Sequence, residues 1–93
     1  MIKNIKHKGL REFAENGSTA GIPNQYARKL RQILNTLHTA SNLNDIIEVR
    51  ALRCHPLKGD RDGEYAVDVT GNLRVVFKVD EPHVLDVTLE DYH

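Results

Sequence analysis

Two short stretches and one isolated arginine carry side chains suited to proton transfer and phosphate binding. His55 stands before Pro56, which holds it in extended backbone, and Lys58 precedes a glycine. The sequence ends in Asp91, Tyr92 and His93. An imidazole titrates near neutral pH and serves as an acid or a base, while lysine and arginine neutralise phosphate charge. Together these residue types indicate acid–base chemistry at a phosphate.

Each of these side chains also has an ordinary structural explanation. Histidines are commonly solvated or hydrogen-bonded, a single Lys-Gly pair carries little information, and terminal residues fray. Arg74 falls at mid-strand and off the predicted core face, where rigid backbone would aim its guanidinium at a phosphate. A salt bridge to Asp68 is the alternative for Arg74, and the two interpretations are compatible.

Residues 64–79 predict the β-hairpin that positions Arg74. Apolar residues alternate on both sides of a turn at Thr70, Gly71 and Asn72. An odd loop of three or five residues keeps the faces unmixed and puts Asp68 opposite Arg74. The core face carries Tyr65, Val67, Val69, Leu73, Val75, Phe77 and Val79. The other face, here called the outer face, carries Ala66, Asp68, Thr70, Arg74, Val76 and Lys78.

The remaining segments supply the rest of a small sheet and its helices. We predict an edge strand at residues 2–7, a helix over residues 9–16 and a longer helix over residues 24–40. A helical turn follows, capped by Asn44, then an extended segment at 49–53, a loop at 55–63 and a strand at 84–89. That strand should point Leu85, Val87 and Leu89 into the core. The order predicts an α+β fold, with two N-terminal helices on one face of a mainly antiparallel sheet.

Length and composition are those of one globular domain spanning residues 1–93, with 40% hydrophobic and 28% charged residues. No signal core or membrane span is present, so we expect a cytoplasmic protein. One cysteine excludes an internal disulfide, and no zinc, nucleotide-loop or serine-hydrolase motif occurs. The composition therefore predicts no metal and no cofactor.

The net charge is zero, but its distribution is uneven. Residues 1–31 hold seven Lys and Arg against two Glu, and residues 64–93 hold two against seven Asp and Glu. This asymmetry of +5 and −5 favours either a positive surface for phosphates or attraction between the two ends within the fold.

Four segments together resemble a known family. They are MIKNIKHKGLREFAENGSTAGIP, LRCHPLKGDRDG, NLRVVFKV and the terminal EDYH. In this order they resemble the HigB branch of the RelE-type toxins, the plasmid-maintenance killer proteins of type II toxin–antitoxin systems. The resemblance covers nearly the whole chain, and HPLKGD combined with a terminal DYH is its most specific part.

The resemblance implies a small RelE-like ribonuclease that cuts mRNA within the ribosome. It also implies silencing by a HigA-like helix-turn-helix antitoxin, contact with DNA only through that antitoxin, and no membrane. The family's loop histidine and lysine match His55 and Lys58, and its sheet arginine matches Arg74. Its terminal triplet matches Asp91, Tyr92 and His93.

We therefore expect metal-independent cleavage by attack of a ribose 2′-hydroxyl on the adjacent phosphate. Lys58 and Arg74 are assigned to charge stabilisation, and Tyr92 to stacking on a base or positioning the phosphate. The acid–base candidates are His55, Asp91 and His93. The alternative is a toxin-fold module that binds its antitoxin or the ribosome with little nuclease activity, since Asp68 and Leu73 depart from the family pattern.

Overall fold

The computed structural model describes residues 1–92 of the chain. Its helices are α1 (Lys8–Asn16), α2 (Ala27–Thr39) and α3 (Leu43–Ile47). Its strands are β1 (His55–Pro56), β2 (Glu64–Asp68), β3 (Leu73–Asp80) and β4 (His83–Asp91). Single 3₁₀ turns occupy Asn24–Tyr26, Arg50–Leu52 and Gly59–Arg61. The predicted α+β class and the two N-terminal helices are confirmed.

The four strands form one antiparallel sheet in the order β1-β2-β3-β4. In the hairpin, Val67 pairs with Val75 and Asp68 pairs with Arg74, as the odd-loop register requires. The turn closes through hydrogen bonds of 2.8 and 3.0 Å from Val69 N and Thr70 N to Leu73 O. The predicted hairpin and its register are confirmed, which fixes Arg74 on the outer face.

The helices cover the core face of the sheet because each presents an apolar stripe at three- and four-residue spacing. Helix α1 ends at Gly17, which adopts the left-handed conformation (φ 79°). The buried core residues include Leu10, Phe13, Leu30, Ile33, Leu37, Ile46, Val67, Val75, Phe77, Val84 and Val87. Burial of this face leaves the outer face as the accessible surface of the hairpin.

A β-bulge in β4 makes one expectation about the core wrong. Asp86 has a φ of 53°, and the pairing with β3 shifts between Val76 and Lys78. The bulge inserts one residue, so Leu85 lies opposite Lys78 on the outer face while the buried residue is Val84. Asn4 holds the bulge, donating to Asp86 Oδ1 (2.8 Å) and accepting from Asp86 N (2.9 Å).

Four local predictions also differ from the structure. The N-cap of α3 is Asn42, whose side chain accepts from Asp45 N at 3.0 Å, rather than Asn44. Residues 49–53 contain a 3₁₀ turn instead of extended chain, and the loop at 55–63 begins with the two residues of β1. The N-terminal segment makes only isolated parallel bridges to β4, at Ile2 and Ile5. The first two differences involve contacts between residues three apart, whereas the pairing of β1 with β2 and the bridges to β4 join residues distant in sequence.

Candidate active site

The outer face forms rows of side chains because directly paired residues of antiparallel strands share a face. One row contains Asp68, Arg74 and Glu90, from β2, β3 and β4. The next contains His55, Ala66, Val76 and Thr88. Leu57 packs on Ala66 and Val76 and closes the middle of this second row. The polar side chains therefore flank a small apolar patch.

Arg74 is the most constrained cation of this face, with only 15% of its side chain exposed. Its Nε and Nη2 donate to Glu90 Oε1 at 3.3 and 3.2 Å. Its guanidinium carbon lies 4.1 Å from the centroid of the Tyr92 ring, a cation–π contact. The backbone N–H of Tyr92 donates to Asn72 O (2.7 Å) in the hairpin turn, which fixes the ring beside Arg74.

The expected salt bridge between Asp68 and Arg74 is wrong, although their register is right. Arg74 lies on the central strand β3, with a carboxylate on each neighbouring strand, and its side chain turns to Glu90. Asp68 Oδ2 instead lies 3.7 Å from Arg53 Nε, and the Arg53 side chain is 79% exposed. Because the Arg53 side chain is so exposed, this ion pair contributes little to the free energy of unfolding.

Arg61 completes an ion network that the sequence did not reveal. It donates to Glu64 Oε1 at 2.7 Å and to Glu90 Oε1 at 2.9 Å, so it bridges β2 and β4. Because Arg61 lies in a loop without periodicity, only its three-residue spacing from Glu64 could have indicated a pair. The charges alternate along the surface from Glu64 through Arg61 and Glu90 to Arg74.

Hydrogen bonds from Arg61, and then from Arg74, hold the pKa of the Glu90 carboxyl below its ordinary value of 4.5. A lowered carboxyl pKa gives stability that is present above the ordinary value and is lost as the pH falls through the lowered one. We therefore expect wild-type protein to be more stable than Glu90→Gln at neutral pH, with the difference shrinking below pH 4.5. Urea unfolding of both proteins from neutral pH to below pH 4.5 measures the difference in their free energies of unfolding. A difference that stays constant with pH would contradict a lowered pKa of Glu90.

The ring of His55 has a defined tautomer. Its Nδ1 lies 2.9 Å from Arg53 O, and because a carbonyl only accepts, Nδ1 carries the proton. The neutral ring therefore presents Nε2 with a free lone pair. The left-handed backbone of Arg53 (φ 54°) turns the chain into β1 and sets this carbonyl. His55 is thus arranged to accept a proton at Nε2 on the outer face.

His55 and Arg74 lie two strands apart and two residues apart along the strands. Strand spacing of about 4.8 Å and a rise of about 3.3 Å per residue separate their Cα atoms by roughly 12 Å. A phosphodiester bound between them would have the imidazole of His55 on one side and the Arg74 guanidinium, held by Glu90, on the other. The arrangement can accept a proton at one end and stabilise negative charge at the other.

The whole-chain comparison identifies the family. A model of the RelE-like toxin of type II toxin–antitoxin system HigB matches residues 3–93. The chain belongs to this HigB-like toxin family. Among curated relatives, Endoribonuclease HigB of Proteus vulgaris is 36% identical over 93 residues, covering 100% of both chains.

Solved structures share the fold of this HigB-like toxin. The YoeB–YefM complex from Staphylococcus aureus matches with a TM-score of 0.65 at 19% identity, covering 100% of this chain and 95% of that one. YafQ from E. coli strain BL21(DE3) matches with a TM-score of 0.53 at 12% identity, covering 95% and 91%. The toxin–antitoxin complex RelBE2 from Mycobacterium tuberculosis gives 0.51 at 13% identity, covering 98% and 95%. At these identities the likeness concerns the fold.

Only some of the residues that the HigB resemblance singles out meet on the outer face. His55 and Arg74 lie there by register, and Tyr92 joins them through its contact with Arg74. Lys58 is exposed at the start of the 3₁₀ turn that carries Arg61. Asp91 pairs with Leu73, which places it on the core side of the sheet rather than with Arg74. His93 lies outside the described residues.

A cavity of about 730 Å³ lies elsewhere in this HigB-like toxin. It opens between the N-terminal segment, α1 and α2, and its lining includes Lys3, Lys6, Arg11 and Arg31. None of the predicted site residues within residues 1–92 lines it. The cavity also carries a histidine, His38, beside these cations. We nevertheless place the candidate active site on the outer face, because His55, Arg74 and Tyr92, which match the family's site residues, lie there.

Proposed function

We propose that this HigB-like toxin is an endoribonuclease that cleaves mRNA bound to the ribosome and thereby inhibits translation. The observation that carries the proposal is 36% identity over the full length to Endoribonuclease HigB of Proteus vulgaris. The outer face supports it, since a proton acceptor at His55 and a fixed guanidinium at Arg74 suit cleavage of a phosphodiester.

The cleavage proceeds by attack of the ribose 2′-oxygen on the adjacent phosphorus. A base removes the 2′ proton, the 2′-O–P bond forms, and the P–O5′ bond breaks as an acid protonates the leaving 5′-oxygen. The products are a 2′,3′-cyclic phosphate and a free 5′-hydroxyl. Arg74 and Lys58 stabilise the charge that develops on the phosphate. Tyr92 helps to position the phosphate by holding the Arg74 guanidinium in place.

We assign the base to His55 Nε2 and the acid to His93 of the terminal triplet, because Asp91 lies on the core side of the sheet. His55→Ala should lower the cleavage rate by about 100- to 10,000-fold, the usual contribution of a general acid or base. The fold should survive, because His55 is only half-buried and its one side-chain hydrogen bond within residues 1–92 is to Arg53 O. Primer extension on ribosome-bound mRNA measures the rate, and circular dichroism melting checks the fold. A melting temperature that collapses together with activity would make His55 a structural residue.

The proposed partners are mRNA on the ribosome and a HigA-like helix-turn-helix antitoxin. The structural neighbours from Staphylococcus aureus and Mycobacterium tuberculosis are toxin–antitoxin complexes, which supports an antitoxin for this chain as well. The protein would contact DNA only through that antitoxin. Within residues 1–92 no helix is long and apolar enough to cross a membrane. We propose the cytoplasm, where ribosomes are, as the place of action.

We further propose that cleavage needs no metal ion, because side chains suffice for both proton transfers and for charge stabilisation. In the described part of the chain no three His, Cys, Asp or Glu residues are grouped to hold a metal. Since ribosomes themselves require magnesium, the direct test is metal analysis of the purified active toxin. A stoichiometric transition metal would contradict the proposal.

One observation favours the alternative of a binding module with little nuclease activity. The Arg74 guanidinium is already paired with Glu90, so a phosphate must compete with or add to that carboxylate. Expression without an antitoxin separates the two functions. Growth arrest with cut mRNA supports the nuclease, whereas unaffected growth with tight antitoxin binding supports the module.

A further inference from the structure

Building on the proposed function, we propose that Arg61 and Glu90 are positioning residues that orient Arg74 for the scissile phosphate. Neither needs to touch the RNA. Glu90 fixes the plane of the guanidinium, and Arg61 holds Glu90 while offsetting its charge. This role is separate from the acid–base and charge-stabilising roles assigned to His55, Lys58 and Arg74.

The first step of the argument is the geometry around Arg74. Glu90 Oε1 accepts from Nε and Nη2, and the Tyr92 ring lies against the guanidinium at 4.1 Å. An in-plane hydrogen-bonded edge and a stacked face together fix the orientation of a planar group. Among the contacts described for residues 1–92, none is a hydrogen bond from Arg74 Nη1. Its two N–H groups therefore remain available to a phosphate oxygen.

The second step concerns Arg61, which is tied to two carboxylates. Its nitrogens make two hydrogen bonds to Glu64 and two to Glu90. To bind RNA it would have to break these four bonds, so it is better suited to a supporting role. It also anchors the 3₁₀ turn Gly59–Arg61 across the sheet from β2 to β4.

The third step is the balance of charge. Glu90 alone would neutralise Arg74 and weaken its attraction for a phosphate. With Arg61 on the other side, the Glu90 carboxylate is shared between two cations and neutralises Arg74 less fully than it would alone. Glu64 in turn pairs with Arg61, so the four side chains together carry no net charge. Because the Arg74 side chain is less exposed than those of Arg61 and Glu90, its own charge is screened least.

Two variants test the proposal, each with a matched control. Glu90→Gln removes the charged acceptor, and Arg61→Met removes its anchor while keeping an unbranched side chain as far as the position of Nε. Glu64→Gln weakens the other partner of Arg61, and Lys78→Met removes a cation of β3 that pairs with Asp86 instead. Differential scanning calorimetry confirms that each protein is folded. Arg61→Lys serves as a second variant if Arg61→Met fails to fold.

The first readout does not depend on activity. In the folded protein the Nε–Hε signal of Arg74 should be shifted by the ring current of Tyr92, and Tyr92→Leu assigns that shift by abolishing it. We expect the shift to collapse in Glu90→Gln and to decrease in Arg61→Met, and to persist in Glu64→Gln and Lys78→Met. A shift that is unchanged in both Glu90→Gln and Arg61→Met would overturn the proposal.

The second readout is cleavage of mRNA on programmed ribosomes. Misplacement of a catalytic group by about 1 Å costs on the order of 100-fold, so we expect kcat to fall about 10- to 100-fold in Glu90→Gln and Arg61→Met, with KM little changed. An unchanged kcat in both variants would overturn the proposal. If the wild-type protein cleaves nothing, the proposed function fails, and the nuclear magnetic resonance shifts alone still decide whether Glu90 and Arg61 hold Arg74.

Discussion

Replacing Arg74 by alanine should slow mRNA cleavage by at least about 100-fold, the usual cost of losing one preorganised donor at a developing negative charge. Arg74 is the cation of the outer face that is both shielded from solvent and held by two neighbours, Glu90 and Tyr92. The fold should tolerate its loss, because Glu90 stays paired with Arg61 and no carboxylate is left without a partner. We expect the free energy of unfolding to fall by only about 1 kcal/mol.

Lys78→Ala is the matched control for Arg74→Ala. Lys78 lies on the same face of the same strand, but its side chain is 50% exposed and pairs loosely with Asp86 at 3.8 Å. Primer extension gives the cleavage rates, and urea unfolding gives the stabilities. Equal losses of activity in the two variants would mean that general positive charge, rather than the oriented guanidinium, drives the chemistry.

The hairpin could be predicted from sequence because one physical constraint determined it. Apolar residues on β2 and β3 must share the buried face, so only an odd loop satisfies both strands, and Val67 lies opposite Val75. The helical stripes of α1 and α2 followed from the same requirement of burial. Where one face is buried, periodicity therefore suffices to place outer-face residues such as Arg74.

The partner of Arg74 could not be predicted by the same reasoning. A residue on a central strand has a neighbour on each side, and the hairpin reveals only one of them, Asp68. The other neighbour, Glu90, depends on the register between β3 and β4, which includes a bulge at Asp86. The left-handed Asp86 is stabilised by Asn4, more than 80 residues away in sequence. Such distant contacts leave no periodic signal.

The terminal triplet was predicted to act as a unit, but strand alternation puts its two described members, Asp91 and Tyr92, in different places. Tyr92 reaches Arg74, while Asp91 lies across from Leu73 on the core side. The strand also extends to Asp91, two residues beyond the predicted end at Leu89. Because side chains alternate between the two faces along this extension, Asp91 lies on the core side and Tyr92, the next residue, contacts Arg74.

Deleting Tyr92 and His93 should remove mRNA cleavage while leaving stability and antitoxin binding nearly intact. The core alternation of β4 is complete before Tyr92, and its contacts are one backbone hydrogen bond to Asn72 O and the ring over Arg74. Removing the ring frees one face of the guanidinium, and removing His93 deletes a candidate acid. We expect a cleavage rate at least about 100-fold lower.

Two single variants divide this effect between the two residues. Tyr92→Leu keeps the backbone bond to Asn72 but removes the ring, so it should reproduce the loss of Arg74 orientation. His93→Gln keeps the chain length and removes only the imidazole, so it should lower the rate by the loss of the acid. Primer extension, thermal melting and calorimetric titration with the antitoxin measure the three properties. A truncated protein that still cuts mRNA on the ribosome at near the wild-type rate would exclude the terminal residues from the active site and leave catalysis to His55, Lys58 and Arg74.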